Sequence, residues 1–247
     1  MKVFEIISLR RSGHHAFINW LFTNFNGAPY MVQNAIYAHD DKLKLLYINE
    51  AEFGFNEHQN HITNNLSRIE YLFSSTETAH AKFSILNKFN PTFTAWQSTD
   101  FKDKWGVTDY KRVFFIRDFF NCFASQIKAS PIHWGTESPY NSRMYNNWKS
   151  HALASLEGGY TVFYDKLISD PEYANQVSLD LLNILNKFDP LDIKGTISSF
   201  NKFEKVDLKR YLTRYKEVEF PIWFREKVKN DKELQLLLNK LNMKYLF

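Results

Sequence analysis

Near the N-terminus, Ser8-Leu9-Arg10-Arg11-Ser12-Gly13-His14-His15 concentrates groups that could hold an anion. Arg10 and Arg11 bring charge, Ser12 a hydroxyl, and His14 and His15 ring N–H donors, while Gly13 lets the backbone approach a ligand closely. The flanks define how these groups are presented. Val3, Phe4, Ile6 and Ile7 read as a buried strand, and Ala16-Phe17-Ile18-Asn19-Trp20-Leu21 as the start of an apolar helix. Strand, tight loop and helix together aim backbone N–H groups and a helix N-terminus at one point, which suits a phosphate-type group. The metal-dependent version of such a loop, G-x-x-x-x-G-K-[ST], uses its Lys on the phosphates and its hydroxyl on Mg²⁺. Aligned on Gly13, this chain has Ser8 in the first Gly slot, His14 in the Lys slot and His15 in the Ser/Thr slot. The expectation is an anion held without a metal, with ATP a poor fit.

Two further charged residues close apolar runs. Phe83-Ser84-Ile85-Leu86-Asn87-Lys88 reads as a buried strand ending at a lysine, and Val113-Phe114-Phe115-Ile116 as a strand bounded by Arg112 and Arg117. Helical patterns begin at about Phe119, cover roughly 142–156, open again at Pro171 in a position that suits proline, and end in 234–241. Pro131 to Pro139 reads as loop with His133, Trp134 and Tyr140 as an aromatic lining, Lys44–Ile48 and Thr161–Tyr164 as short strands. Between 30 and 82 there is little other periodicity, which suggests an insertion or a lid. Alternating strands and helices imply a single α/β domain over 1–247, with a mostly parallel central sheet flanked by helices and a helical part at 205–247. Ligands of such sheets bind at the strands' carboxyl ends. The Arg10–His15 loop, Lys88 and Arg117 are all expected there.

Composition sets the outer limits. At 247 residues, 44% hydrophobic and 17% aromatic, the chain is long enough to bury one proper core. A net charge of +4 suits a small anionic ligand and falls short of the basic stripe of a nucleic-acid binder. Cys122 is the only cysteine, which excludes an intramolecular disulfide and points to a reducing compartment. Neither a signal-peptide pattern nor a run of 18 apolar residues occurs, so the expected location is cytoplasmic, away from membranes. His58 and His61 have helix-like metal spacing but no identifiable third ligand, and no metal is expected.

At Arg117 a family resemblance becomes specific. Val113-Phe114-Phe115-Ile116-Arg117-Asp118, with Ser125 eight positions after Arg117, resembles the 3′-phosphate motif of the sulfotransferases. Arg11-Ser12-Gly13-His14-His15 resembles their 5′-phosphosulfate loop, and Val162-Phe163-Tyr164-Asp165-Lys166-Leu167 their Tyr-Glu-Asp-Leu segment, whose Tyr lies near the adenine. Ser198-Ser199-Phe200 is similar to a Thr-Ser-Phe element near the base. The resemblance spans roughly 1–205 in family order and implies a P-loop-like sulfotransferase fold with 3′-phosphoadenosine 5′-phosphosulfate (PAPS) as donor. It assigns Arg10, Arg11, Ser12, Gly13, His14, His15, Arg117, Ser125 and Tyr164 to the donor. PAPS carries two separated anions and so needs two cradles, which these residues would supply.

In this reading Arg11 also stabilises charge on the bridging oxygen during in-line transfer to a hydroxyl or amine of a small-molecule or carbohydrate acceptor. Lys88 resembles the catalytic-site lysine of the family's carbohydrate-modifying branch. For the base, the window where that branch carries a Glu offers His39 and Asp40, with His39 favoured; His80 is nearest to the His of the small-molecule branch. The chain departs from the family pattern at His14 and His15, where threonines are expected, at Phe119, where proline often follows Arg-Asp, and at Arg11, where Lys is commoner. A kinase-like P-loop enzyme and a non-catalytic binder of PAPS or adenosine bisphosphate are the alternatives. The acceptor and the oligomeric state are not legible.

Overall fold

The computed structural model describes residues 2–9, 12–26, 35–40, 46–49, 69–77, 108–190 and 208–247. Among these residues six strands form one sheet: β1 (Lys2–Ser8), β2 (Ala35–Asp40), β3 (Leu46–Asn49), β4 (Ile69–Glu77), β5 (Asp109–Ile116) and β6 (Tyr160–Phe163). Their order is β3-β2-β4-β1-β5-β6. β1 runs parallel to both β4 and β5, and β5 parallel to β6; the antiparallel pairings, β2 with β3 and β2 with β4, occupy the other edge. The fold is α/β, with a parallel core and an antiparallel extension.

Alternation along β5 explains why its sequence is apolar at every position from 113 to 116. Val113 and Phe115 enter one buried cluster with Phe4, Ile6 and Val162; Phe114 and Ile116 enter another with Ile7. Successive side chains of a strand point to opposite faces, so each cluster is the core of one face. Burial on both faces demands a continuous apolar run.

Helix α1 (His14–Asn26) follows β1 and packs on the first face through Phe17, Ile18, Trp20 and Leu21. Two long-range bonds fix it there: Trp20 Nε1 donates to the Phe188 carbonyl at 2.8 Å, and Asn24 Oδ1 accepts the Lys187 N–H at 2.8 Å. Helix α2 (Phe119–Ala129) follows β5 and packs on the second face through Phe119, Phe120 and Phe123. A one-turn helix α3 (Pro131–Trp134) leads to α4 (Pro139–Glu157), which has Pro139 in its first turn and Ser138 as N-cap. Beyond β6 come α5 (Tyr164–Ser169) and α6 (Pro171–Leu182); Asp170 caps α6 by accepting the N–H groups of Glu172 and Tyr173. The described C-terminal part is a kinked 3₁₀ segment (Leu208–Glu217), α7 (Ile222–Asn230) and α8 (Lys232–Lys240). No helix of the described residues is long and apolar enough to cross a membrane.

Several boundaries differ from the sequence reading. The stretch 30–82, where one strand is expected at 44–48, contains β2, β3 and β4, so at least those parts belong to the main sheet. Tyr164 opens a helix and does not close the strand. Trp134 does not line an open loop: it is buried, stacked on Trp223 at 6.0 Å, and its carbonyl accepts the Trp223 indole N–H. The strand expected at 83–88 lies outside the described residues.

Candidate functional site

β1 and β5 are parallel neighbours whose following helices leave to opposite faces of the sheet. Connections that part in this way open a crevice at the strands' carboxyl ends, the usual ligand position of open α/β sheets. Four of the residues singled out in the sequence, Ser12, Gly13, His14 and Arg117, stand at these two strand ends. Ser125 and Tyr164 join them from α2 and the end of β6.

On the β1 side, Ser12 N–H donates to the Leu9 carbonyl at 3.0 Å, and the Gly13 carbonyl takes the N–H groups of Ala16 and Phe17 at 3.0 and 3.3 Å. The loop thus turns tightly and hands over to α1, whose N-terminus, the positive end of the helix dipole, opens at the loop. Ser12 and His14 are buried, with Ser12 Oγ 3.5 Å from His14 Nδ1. Gly13 has φ +90°, which glycine adopts without strain. It is also the only residue that fits, because a Cβ there would lie 2.6 Å from Tyr164 Cε2.

On the β5 side, Arg117 is 4% exposed and its Nη1 donates to Ser125 Oγ at 2.8 Å. The eight-residue spacing works because Ser125 lies two turns into α2, on the side facing back to the strand end. Tyr164, 2% exposed, sits between the two sides, with the Arg117 guanidinium carbon 5.1 Å from its ring centroid. One ring therefore touches both candidate anion holders.

The backbone around Arg117 is clamped on several sides. Trp148 Nε1 donates to the Arg117 carbonyl at 3.3 Å, and Asp118 N–H donates to Asp165 Oδ2 at 2.9 Å. Asp118 caps α2 by accepting the Asn121 N–H. Asn121 in turn donates to the Leu212 carbonyl at 2.8 Å and accepts the Tyr215 N–H at 3.2 Å, tying the 3₁₀ segment to α2. Burial, helped by the neighbouring Asp165 and opposed by the Asn121 N–H and Arg117, pushes the Asp118 carboxyl up to about 6. Burial also raises Asp165 above the ordinary carboxylate range. These two carboxyls line a separate cavity of about 230 Å³ with Asn121, Lys166, Tyr215 and Lys244; Gly13, Arg117, Ser125 and Tyr164 do not line it. Cys122 is buried and its thiol is pushed up to about 11 by desolvation, so it is no nucleophile at neutral pH.

His39 is not brought to this crevice. In the strand register His39 pairs with Tyr71 of β4, and Tyr71 with Lys2 of β1, whereas the loop follows Ser8 at the other end of β1. At ~3.3 Å per residue the six-residue offset is roughly 20 Å along the sheet, before the lateral step across β4 is added. The expectation that His39 is the base of this site is corrected on that ground. Asp40, one residue further from the loop end, shares the problem. Arg10, Arg11, Lys88, His80 and the Ser198–Phe200 element lie outside the described residues, and His15 is described only as a backbone position of α1. Arg210 and Arg214 pair with Glu217, which also takes Lys128. Among the described residues no group of three or more His, Cys, Asp or Glu could hold a metal ion.

Sequence reasoning missed Asp165, Asn121 and Trp148 as supports of Arg117. Asp118 carried a legible signal, an Asp directly before an apolar helix. The others hold backbone groups across distances of 31 to 91 residues, which no local pattern announces.

No protein-family model matches the chain, and no curated protein matches it either. Among solved structures it is similar to one described as a sulfotransferase domain from the curacin biosynthetic pathway, at 12% identity, with 99% of each chain covered and a TM-score of 0.43. A likeness of that strength says nothing of activity.

Proposed function

We propose that the chain is a sulfotransferase that takes PAPS as donor and transfers its sulfuryl group to a hydroxyl or amine of an acceptor without a metal. The observation that carries this reading is the pair of anion-suited ends on adjacent parallel strands: the Ser12–Gly13–His14 turn after β1, and Arg117 with Ser125 after β5. A donor with a 5′-phosphosulfate and a 3′-phosphate calls for two such ends. The chain's own features fit it: a glycine whose Cβ would collide, a helix N-terminus, and a buried guanidinium already directed by a hydroxyl.

Bound PAPS supplies the activated sulfuryl group. The turn after β1 would hold its 5′ end through backbone N–H groups, in the manner of a P-loop, with Ser12 and His14 nearby. Arg117 and Ser125 would hold the 3′-phosphate. Arg11 is proposed to meet the negative charge that grows on the bridging oxygen as the sulfur–oxygen bond breaks; one such donor is typically worth about 3 kcal/mol of barrier. As in phosphoryl transfer, positioning and charge stabilisation are the main demands on the protein. The acceptor's proton leaves to solvent as the new bond forms, and Lys88 keeps the part the resemblance implies, a catalytic-site lysine.

The test is transfer from sulfur-labelled PAPS to a panel of hydroxyl and amine acceptors, with a chelator present. Labelled product that forms with the chelator and is lost in Arg117→Ala supports the reading. Activity that depends on ATP and Mg²⁺ would replace it with the kinase-like alternative. The placement of His39 far from the crevice favours a second reading, a non-catalytic binder of adenosine bisphosphate. Tight binding with no transfer to any acceptor would select it.

A further inference from the structure

We infer that Tyr164 is a positioning residue that sets the separation of the two anion-holding ends, acting from inside the fold and not by contact with the donor's adenine. The inference rests on the two-ended donor site proposed above and goes beyond it.

The Tyr164 ring meets Gly13, Arg117 and Phe115. Its edge packs on Gly13, so closely that a Cβ there would lie 2.6 Å from Cε2 and 2.9 Å from Cδ2. The Arg117 guanidinium carbon stands 5.1 Å from its centroid, within cation–π range. Phe115, on the strand that leads to Arg117, meets it edge-on, with centroids 6.1 Å apart at 88°. With 2% of its surface exposed, the residue has almost no area left for a base to cover.

The ring is also held from behind. Tyr164 is the first residue of α5, and Asp165 next to it accepts the N–H of Asp118, next to Arg117. The Tyr164–Asp165 and Arg117–Asp118 pairs are thereby locked side by side. A planar ring is a rigid spacer, so the distance from the β1 turn to Arg117 is fixed by its width. A ligand with one anion is indifferent to that distance. A ligand with two anions gains its second contact only if the spacing matches.

The test compares adenosine 3′,5′-bisphosphate, adenosine 5′-monophosphate and adenosine 3′-monophosphate by calorimetric titration of the whole chain. In the unaltered protein the bisphosphate is expected to bind at least about 100-fold more tightly than either monophosphate, the low end of a two-point advantage. Tyr164→Met, similar in bulk but flexible, should cut that advantage to about tenfold or less while leaving each monophosphate within about threefold. Tyr164→Phe, which restores the ring, should restore the advantage. Tyr164→Leu carries the same expectation should the methionine variant not fold, and thermal melts establish which variants are folded. Equal weakening of all three ligands in the folded variants would overturn the inference alone, because it would mean a base contact or a general loosening. Failure of the unaltered protein to bind any of the three would overturn the donor site and this inference with it.

Discussion

Arg117 shows how much of this site depends on single side chains. Its guanidinium is buried, directed by Ser125 and set against Tyr164, so it is preorganised toward one place. Ser125→Ala should therefore weaken bisphosphate binding by about tenfold, the worth of one hydrogen bond to a charged group. An unchanged dissociation constant would separate Ser125 from the site. Two titratable residues nearby, the half-buried Asp118 and the buried His151, act on stability in opposite directions. Asp118 titrates at about 6 in the folded chain against an ordinary 3.8, so between those values the folded chain keeps a proton that the unfolded chain has lost. Stability then falls as pH rises through that window. His151 is buried with Nε2–H donating to the Phe115 carbonyl, and desolvation lowers it from 6.5 to about 4. Here the unfolded chain takes the proton first, so stability falls as pH drops from 6.5 to 4. The two effects nearly cancel between pH 6 and 4. Asp118→Asn keeps an oxygen to cap α2 and removes one of them. It should stabilise the chain at pH 8 by roughly 2–3 kcal/mol and expose a steep loss of stability from pH 6.5 down to 4. Thermal melts across pH 4–8 check this; parallel profiles for the two proteins would contradict it.

At the scale of elements, the residues that follow β5 and β6 are tied by the bond from Asp118 N–H to Asp165 Oδ2, just beyond the ladder that ends at Ile116 and Phe163. Asp165→Ala would leave that N–H without its acceptor at a cost of about 1–3 kcal/mol, and should also weaken bisphosphate binding by releasing Arg117. A variant that melts lower yet binds as before would break the proposed link between the lock and the site. Asn121→Ala should detach the 3₁₀ segment from α2, read as faster proteolysis near residues 208–217, because both of its amide contacts there are to backbone. Unchanged proteolysis would show that the apolar contacts of Leu212 and Tyr215 hold the segment without them. These elements differ in how plainly the sequence announced them. β5 was legible because burial on both faces leaves an unbroken apolar run, and Ser125 because a helix of known pitch follows it at once. β4 was not, although it lies beside β1, because its second half reads Ser74-Ser75-Thr76-Glu77 and carries no apolar period. His39 is expected at the site only from its chain distance to the loop, the window in which the resembled family carries a Glu. Strand register, which depends on pairing with β4, put it at the opposite end.

For the molecule as a whole, the sheet order does what no single residue can. It places β1 and β5 side by side and sends their helices to opposite faces, so that two loops distant in sequence meet at the strands' carboxyl ends, the usual ligand position of open α/β sheets. The α/β class and the convergence of the β1 turn with Arg117 were legible from alternating strands and helices. The spacer role of Tyr164 was not, because it depends on the space left by a missing Cβ at Gly13. The most direct measurement of the central claim is calorimetric titration of adenosine 3′,5′-bisphosphate into the protein without Mg²⁺, beside Arg117→Ala. Metal-independent micromolar binding is expected, weakened by about 100-fold in the variant, equivalent to about 2.7 kcal/mol. Absence of binding, equal binding by the variant, or binding of ATP only with Mg²⁺ would contradict it.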